Sequence, residues 1–273
     1  MDRYAVVGNP IAQSKSPQIH EAFARATQQA MTYERLLAPM GGFADVAEAF
    51  AREGGKGLNI TAPFKLDALA VAHTASERAQ AAGACNTLRR DGDRWYAENT
   101  DGAGLVRDLT VNLGVSLEDC DVLLLGAGGA ARGILLPMFA QRPRSLVISN
   151  RTIEKADALC AQFSARGPMS AVAPDRLAGR TFDVVINATS GGLKGGSAWP
   201  WPSGLFRTGA FAYDMIYADT PTPFMQWARG QAVTRAADGI GMLIEQAAES
   251  FLLWRGVRPD TAPVFRLLRP IGP

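Results

Sequence analysis

The run Gly126-Ala127-Gly128-Gly129-Ala130-Ala131 follows directly on the apolar stretch Asp121-Val122-Leu123-Leu124-Leu125 and opens a segment of helical character. It fits the pattern G-x-G-x-x-G/A, with Ala131 in the third place. The first glycine permits a tight turn, and the second lets the backbone approach a pyrophosphate. The small third residue lets helix and strand pack closely, while the helix N-terminus offers free N–H donors and a positive dipole end. A strand before the motif and a helix after it are the context the motif requires. The chemistry implied is dinucleotide binding through Gly126, Ala127, Gly128, Gly129 and Ala130.

The next apolar strand, Ser145-Leu146-Val147-Ile148-Ser149, ends at Asn150-Arg151-Thr152. At this place an NAD-binding fold carries an acidic residue that takes the ribose hydroxyls. Here there are an amide, a guanidinium and a hydroxyl, with Lys155 one helical turn on. A carboxylate would repel a 2′-phosphate, whereas Arg151 can pair with one through two parallel hydrogen bonds. The expected cofactor is therefore NADP(H).

A hydride carrier needs a partner that manages the proton of an alcohol or carbonyl. Zinc is not expected, because Cys85, Cys120, Cys160, His20 and His73 form no cluster with ligand spacing. Both histidines are read as structural. No Tyr has a Lys four residues later, so the Tyr-x-x-x-Lys pair of short-chain reductases is absent. A Lys–carboxylate pair remains. Lys65 closes the polar run Asn59-Ile60-Thr61-Ala62-Pro63-Phe64-Lys65 just after a strand, and Asp101 lies in Asn99-Thr100-Asp101-Gly102 at a helix start. Such a lysine can exchange a proton or stabilise an alkoxide, with the carboxylate orienting it. On the residues alone, Asp101 would serve equally as a helix N-cap and Lys65 as a surface charge.

The elements that must position these groups alternate strand and helix, which is an α/β pattern. Strands are expected at 4–8, 32–37, 57–60, 121–125, 145–149, 184–186 and 211–213. Strands near 87–90 and 95–98 form a hairpin through Asp91-Gly92-Asp93. Helices are expected at 16–30 (Ser16 as N-cap, Pro17 at the first position), 42–53, 74–82, 101–113, 242–255 and after Asp260 as a cap. Further helices flank the 145–149 strand, the second running to about 165. Residues 191–209 read as an ordered loop. The apolar stripe in 242–254 reads as core.

The chain has 273 residues, is 47% hydrophobic and 20% charged, and carries a net charge of +2 from 28 Lys and Arg against 26 Asp and Glu. These are the proportions of a globular protein with a full core, and they exclude a disordered chain, a coiled coil or a collagen-like fibre. Charge signs are mixed, so no nucleic-acid partner is expected. No stretch is long and apolar enough to span a membrane, and no signal-peptide pattern is read at the N-terminus. The cysteine usage fits a cytoplasmic protein.

With these motifs in order along nearly the whole chain, the sequence resembles the NADP-dependent shikimate dehydrogenases. The resemblance rests on Gly8-Asn9-Pro10, Ser14-Lys15-Ser16-Pro17, the 59–65 run, Gly83-Ala84-Cys85-Asn86-Thr87, Asn99-Thr100-Asp101-Gly102 and the glycine-rich turn. It continues through Asn150-Arg151-Thr152, Asn187-Ala188-Thr189-Ser190, Asp214-Met215-Ile216-Tyr217, and Asp238-Gly239-Ile240-Gly241-Met242-Leu243 followed by Gln246.

It implies an α/β fold of two domains. One is a substrate domain with a mainly parallel sheet (1–101 plus 239–273), the other a Rossmann-type doubly wound NADP domain (102–238). The implied activity is the reversible conversion of shikimate and NADP to 3-dehydroshikimate and NADPH, in aromatic amino-acid (chorismate) biosynthesis.

The family pattern also assigns residues. Ser14, Ser16, Thr61 and Tyr217 hold the substrate carboxylate. Asn59 also belongs to the substrate-binding set. Asn86, Asp101, Lys65 and Gln246 hold ring hydroxyls, with Lys65 as the proton acceptor or donor and Asp101 as its partner. Asn150, Arg151, Thr152 and Lys155 hold the adenosine phosphate, while Ala188, Thr189, Met215 and Gly239 lie along the nicotinamide half. Glu77 matches a further cofactor position. The expected partner is a small-molecule substrate, with the chain a monomer or homodimer. Two alternatives stay open: a paralogue of broader specificity that accepts quinate, and a non-catalytic NADPH-binding regulator. Retention of Lys65 and Asp101 argues against the regulator.

Overall fold

The computed structural model describes residues 1–189 and 201–269. The chain divides into two compact units, Met1–Gly104 with Leu243–Pro273, and Leu105–Met242. The first unit opens with β1 (Asp2–Gly8), α1 (Ser16–Ala26), β2 (Met31–Leu37), α2 (Phe43–Arg52) and β3 (Gly55–Ile60). It continues with α3 (Lys65–Ala70), β4 (Thr74–Ala75), α4 (Glu77–Ala82), β5 (Thr87–Asp91) and β6 (Arg94–Glu98). Helix α5 (Asp101–Arg107) leads into the second unit, which holds β7 (Asp121–Leu125), α6 (Gly129–Phe139), β8 (Ser145–Ser149), α7 (Ile153–Phe163) and β9 (Met169–Ala171). There follow β10 (Phe182–Asn187), β11 (Phe206–Asp214), α8 (Pro223–Gly230) and β12 (Arg235–Ala237), and the chain then runs through α9 (Ile240–Arg255) and α10 (Ala262–Leu268).

The sheet of the first unit has the order β2-β1-β3-β5-β6-β4. Only β5 runs against the others: β1 pairs parallel with β2 and β3, β4 pairs parallel with β6, and β5 is antiparallel to both neighbours. Side chains alternate along β1, and both of its faces are buried. Ala5 and Val7 enter a core with Leu58, Ile60, Phe64 and Trp95. Tyr4 and Val6 face the opposite way, with Ile11, Tyr33 and Trp254 of α9.

The sheet of the second unit is parallel throughout, in the order β12-β11-β10-β7-β8-β9. Counted from β7 this is the doubly wound order 3-2-1-4-5-6, and the order reverses between β7 and β10. Ligands of such sheets bind at the carboxyl ends of the strands beside that reversal. The Leu123–Leu125 run is buried on both faces, as a central parallel strand requires.

Several expectations are corrected. The helix expected over 74–82 is a two-residue strand, β4, followed by α4, because Ser76 accepts the Ala79 amide and so starts the helix at Glu77. Ser16 is the first residue of α1 rather than its cap, and its amide donates to the Ser14 hydroxyl at 3.3 Å. The helix expected over 101–113 is α-helical only to Arg107. From Asp108 to Asn112 it widens to π geometry, closed by the Leu113 amide on the Asp108 carbonyl. Part of the loop read over 191–209 is strand, since β11 begins at Phe206; Ser190 and Gly192-Leu193-Lys194-Gly195-Gly196 lie outside the described residues. Thr261, not Asp260, is the N-cap of the last helix; Asp260 stands one residue before it and accepts the Ala262 amide at 3.0 Å. The short strands β9 and β12 and the helices α3 and α8 had no counterpart in the sequence reading.

Candidate active site and dinucleotide turn

In the first unit, the β3–α3 turn and the β6–α5 turn bring their polar residues together. Lys65 Nζ donates to Asp101 Oδ2 at 2.5 Å. Asp101 Oδ1 accepts from Asn86 Nδ2 at 2.8 Å. Lys65 begins α3, and its carbonyl accepts the Cys85 amide, which ties the lysine to the segment carrying Asn86. Asn99 Oδ1 accepts the Asp101 amide at 3.1 Å, and the Asp101 carboxylate bonds the side chains of Lys65 and Asn86. Asp101 is 12% exposed and Lys65 34% exposed at the side chain, so the ion pair is held by the protein yet reachable from outside.

The polar cluster continues inward. Asn86 also donates to Thr100 Oγ1 at 2.9 Å and to Gln246 Oε1 at 3.4 Å. Asn59 donates to Thr87 Oγ1 at 3.1 Å and to Ser250 Oγ at 3.0 Å, and it accepts from the Tyr33 hydroxyl at 2.7 Å. Gln246 and Ser250 are four residues apart on α9 and therefore share one face. Burial drives the Cys85 thiol up to about 12, leaving it protonated and inert beside this cluster.

Ser14 and Ser16 sit before and at the start of α1, their hydroxyls 3.2 Å apart. The Asn9 amide donates to the Ala62 carbonyl at 3.2 Å, joining the loop of the serines to the turn that bears Thr61 and Lys65. Gly8 makes that approach feasible, since a Cβ there would lie 2.5 Å from Thr61 Cγ2.

In the second unit the glycine-rich turn has the geometry its sequence requires. Gly126 takes φ +107°, and a Cβ on it would lie 3.1 Å from the Ala188 carbonyl group. A Cβ on Gly128 or Gly129 would meet nothing within 4 Å, so that face of the turn is open to a pyrophosphate. Ala131 is fully buried where α6 packs on its sheet. Asn150 Oδ1 accepts the Ala127 amide at 3.2 Å, which links the turn to the end of β8. Arg151, Thr152 and Lys155 are exposed around the start of α7. Thr152 makes no side-chain cap, and the helix offers its N-terminal amides there. These residues fit an adenosine phosphate.

The other expected cofactor positions follow the ends of β10, β11 and β12. Asn187 donates to Asp214 at 2.9 Å and accepts from the Thr189 hydroxyl at 2.7 Å. Asp214 in turn takes the Thr222 hydroxyl at 2.5 Å and the Ile216 amide at 3.1 Å. Burial raises the Asp214 carboxyl above its ordinary range. Gly239 packs directly against the Met215 backbone and has no room for a side chain. Ala188, Thr189, Met215 and Gly239 thus lie at one edge of the sheet with Gly126. Tyr217 follows β11 in this unit, where burial raises its hydroxyl. Glu77 belongs to the other unit, exposed in the first turn of α4.

Sequence reasoning missed Tyr33, Thr87, Thr100 and Ser250, which link the expected substrate residues, and Asp214, which fixes the β10 and β11 ends. The signal for Ser250 is its four-residue spacing from Gln246; Thr87, Thr100 and Asp214 lie within the motifs quoted above, beside the residues that were assigned, and Tyr33 carries no local signature.

Among the described residues no group of three or more His, Cys, Asp and Glu could hold a metal ion, and no helix is long and apolar enough to cross a membrane. A lysine–carboxylate pair in one unit and a dinucleotide turn on a doubly wound sheet in the other define a nicotinamide-dependent oxidoreductase. Three family models match the chain: the shikimate dehydrogenase substrate binding domain over residues 6–88, shikimate / quinate 5-dehydrogenase over 109–193, and the shikimate 5'-dehydrogenase C-terminal domain over 239–269. The chain belongs to the shikimate dehydrogenase family. It is 56% identical over 272 residues to a shikimate dehydrogenase (NADP(+)) of Aromatoleum aromaticum, covering 98% of this chain and 97% of that one. Among solved structures it is similar to an Ael1 enzyme from Pseudomonas putida, at 47% identity and TM-score 0.92 over 100% of both chains. It is also similar to shikimate 5-dehydrogenase from Thermus thermophilus, solved in complex with NADP(H) and shikimate, at 32% identity and TM-score 0.86 over 96% of each chain.

Proposed function

We propose that the protein catalyses the reversible NADP-dependent oxidation of shikimate to 3-dehydroshikimate, a step of aromatic amino-acid biosynthesis. The observation that carries this reading is the Lys65–Asp101–Asn86 cluster: a cation, an anion and an amide converge on one half-open place, where a polyol could be held by several hydroxyls at once. Buried polar groups that must be paired discriminate against analogues that lack a hydroxyl. Bound NADP(+) would supply the hydride acceptor for the alcohol carbon. On reduction the Lys65 ammonium donates a proton to the carbonyl oxygen as it becomes the hydroxyl; on oxidation the lysine, as the neutral amine left once that proton has gone to solvent, takes the proton of the reacting hydroxyl. Asp101 holds the lysine in place through one oxygen and is itself oriented by Asn86 through the other.

In this reading Ser14, Ser16 and Thr61 receive the substrate carboxylate, and Asn86, Asp101, Lys65 and Gln246 its ring hydroxyls. Arg151 and Lys155 neutralise the 2′-phosphate, aided by Asn150 and Thr152. Tyr217 is assigned to the carboxylate and Glu77 to the cofactor by family resemblance alone; Tyr217→Phe and Glu77→Gln test them through the respective KM values. Residues 1–101 with 239–273 take the substrate role and 102–238 the cofactor role. A cytoplasmic monomer or homodimer without a nucleic-acid partner completes the proposal.

The test is an initial-rate assay offering shikimate and quinate, each with NADP and with NAD. Rapid turnover of shikimate with NADP supports the reading. Comparable turnover of quinate would move the protein to the broader-specificity class, and NADPH binding without turnover would make it a regulator.

A further inference from the structure

Strand β2 supplies two residues to the serine loop from one face, Tyr33 and Arg35, spaced by two as strand geometry requires. The Tyr33 hydroxyl donates to Asn59 Oδ1 at 2.7 Å and is also reached by Ser16. Arg35 donates to the carbonyl of Ser14 twice, from Nε at 3.1 Å and from Nη2 at 2.6 Å. The base of the loop is tied to the end of β2 by the Asn9 side-chain amide, which donates to the Ala38 carbonyl at 2.9 Å. The same Ser14 whose carbonyl Arg35 grips offers its hydroxyl to Ser16.

We propose that Arg35 is a positioning residue for the carboxylate end of the substrate, fixing the Ser14 turn and placing a permanent positive charge beside the Ser14–Ser16 pair. This inference rests on the substrate assignment made above. Two serine hydroxyls can donate hydrogen bonds to a carboxylate but carry no charge to balance it. A guanidinium stays protonated across the working pH range and keeps its planar fork on the carbonyl. By covalent geometry, a carboxylate on Ser14 Oγ lies within about 10 Å of that guanidinium, about one Debye length at 0.1 M salt. At that range the attraction of two unit charges corresponds to about a two- to fifteenfold change in affinity, depending on the local dielectric. Arg35 is exposed, so salt screens the effect. Lys15, between the two serines in sequence, stays in place in every variant, so the differences read out belong to Arg35.

The experiment compares Arg35→Gln and Arg35→Lys with the parent, at saturating NADP, on shikimate and on its uncharged carboxamide. Arg35→Gln is expected to raise the KM for shikimate by about two- to tenfold, with kcat within about twofold and a smaller rise for the carboxamide, which loses only the brace on Ser14. Arg35→Lys keeps the charge but not the two-pronged grip on the Ser14 carbonyl, and is expected to lie between the parent and Arg35→Gln. High salt should narrow the difference between the parent and Arg35→Gln for shikimate and leave that for the carboxamide unchanged. Equal rises in KM for acid and carboxamide would reduce Arg35 to a loop brace and overturn the charge assignment, as would an unchanged KM for the acid. Should Arg35→Gln fail to fold, Arg35→Met, an uncharged side chain of similar length, takes its place on the same two substrates and salt series, with the same expected and overturning results. An inactive parent signals failure of the substrate assignment itself, and takes this inference with it. An active parent with an unaltered Arg35→Gln enzyme signals failure of the Arg35 assignment alone.

Discussion

Asp101 divides its two oxygens between Lys65 Nζ at 2.5 Å and Asn86 Nδ2 at 2.8 Å. The carboxylate therefore stands between the proposed proton carrier and a proposed substrate-holding amide. Removing the lysine takes away the proton acceptor, while removing the charge of Asp101 leaves the acceptor present but loosely aimed. Lys65→Ala is expected to lower kcat by about a hundred- to ten-thousandfold, the usual span for general acid–base catalysis, with a small change in the shikimate KM. Asp101→Asn is expected to lower kcat less and to raise KM as well, because Asp101 also meets the ring hydroxyls in this reading. Steady-state rates on both variants check this; near-normal kcat in Lys65→Ala would remove Lys65 from the chemistry.

Arg151 gives the second prediction. It is exposed at the start of α7, where a cation is mildly unfavourable unless an anion joins it. A charge-assisted pair with a phosphate contributes about 1.5–3 kcal/mol. Arg151→Ala is thus expected to weaken NADP by about ten- to a hundredfold and to leave NAD nearly unaffected. Parallel titrations with the two cofactors measure it. Equal loss for both would show that Arg151 does not read the 2′-phosphate.

The two glycines of the dinucleotide turn should respond differently to the same change. Gly126 holds φ +107°, and its missing Cβ would crowd the Ala188 carbonyl group at 3.1 Å. Gly126→Ala should cost at least about 1–2 kcal/mol of folding stability, lowering Tm by a few degrees. Gly128 has negative φ (−86°) and open space where a Cβ would go. Gly128→Ala should leave Tm unchanged and weaken NADP by about tenfold or more, since the methyl group would stand where the pyrophosphate approaches. Thermal melts with and without NADP separate the two outcomes.

The parts legible in the sequence are those where one short segment carries the whole instruction. The Leu123–Leu125 run and its glycines specify a buried parallel strand and its turn, and the Gly92-containing turn specifies a hairpin, which the Asp91–Arg94 pairing displays. Lys65 and Asp101 could be suspected as a pair, but their contact depends on a crossover that sets the β3–α3 and β6–α5 turns side by side. No spacing in the chain encodes that. The widening at Asp108 was illegible for a similar reason. Its buried carboxylate accepts the Tyr213 hydroxyl at 2.7 Å and lies against Gly241, both remote in sequence. Ser76 shows the converse error: the alanine-rich composition of 74–82 suggested one helix, and a single serine cap moved its start.

Ser250 closes the buried cluster from α9, accepting from Asn59 at 3.0 Å and meeting Thr87 Oγ1 at 2.8 Å. Its loss would leave an Asn59 N–H without that acceptor inside the protein, at a cost of about 1–3 kcal/mol. Ser250→Ala should therefore lower stability and raise the shikimate KM several-fold, with the NADP KM unchanged. Ser250→Thr, which restores a hydroxyl, should recover part of both. A shikimate KM equal to the parent's in Ser250→Ala would show that the cluster supports the fold without tuning the site.

His20 supplies a prediction about pH rather than activity. It is fully buried, its ring stacked on Tyr33 at 4.3 Å and near Phe23, Phe251 and Trp254. Its ring nitrogens make no well-formed hydrogen bond among the described residues, the Asn59 side chain being a polar neighbour that only weakly favours the charged ring. Burial pulls its pKa down from 6.5 to about 3, against a weaker opposing pull from Asn59. In the unfolded chain the imidazole regains its ordinary value and takes up a proton below about pH 6.5, while the folded protein does not until about pH 3. The unfolded state then binds more protons across that window, so stability contributed by the neutral ring is present above pH 6.5 and is lost as pH falls towards 3. One proton corresponds to a slope of about 1.4 kcal/mol per pH unit. His20→Phe keeps an aromatic ring in the stack and removes the titration. Urea unfolding at a series of pH values should give the variant a stability curve shallower by about that slope between pH 6 and pH 4. Parallel curves for parent and variant would mean that His20 is protonated in the folded protein or that its site admits water.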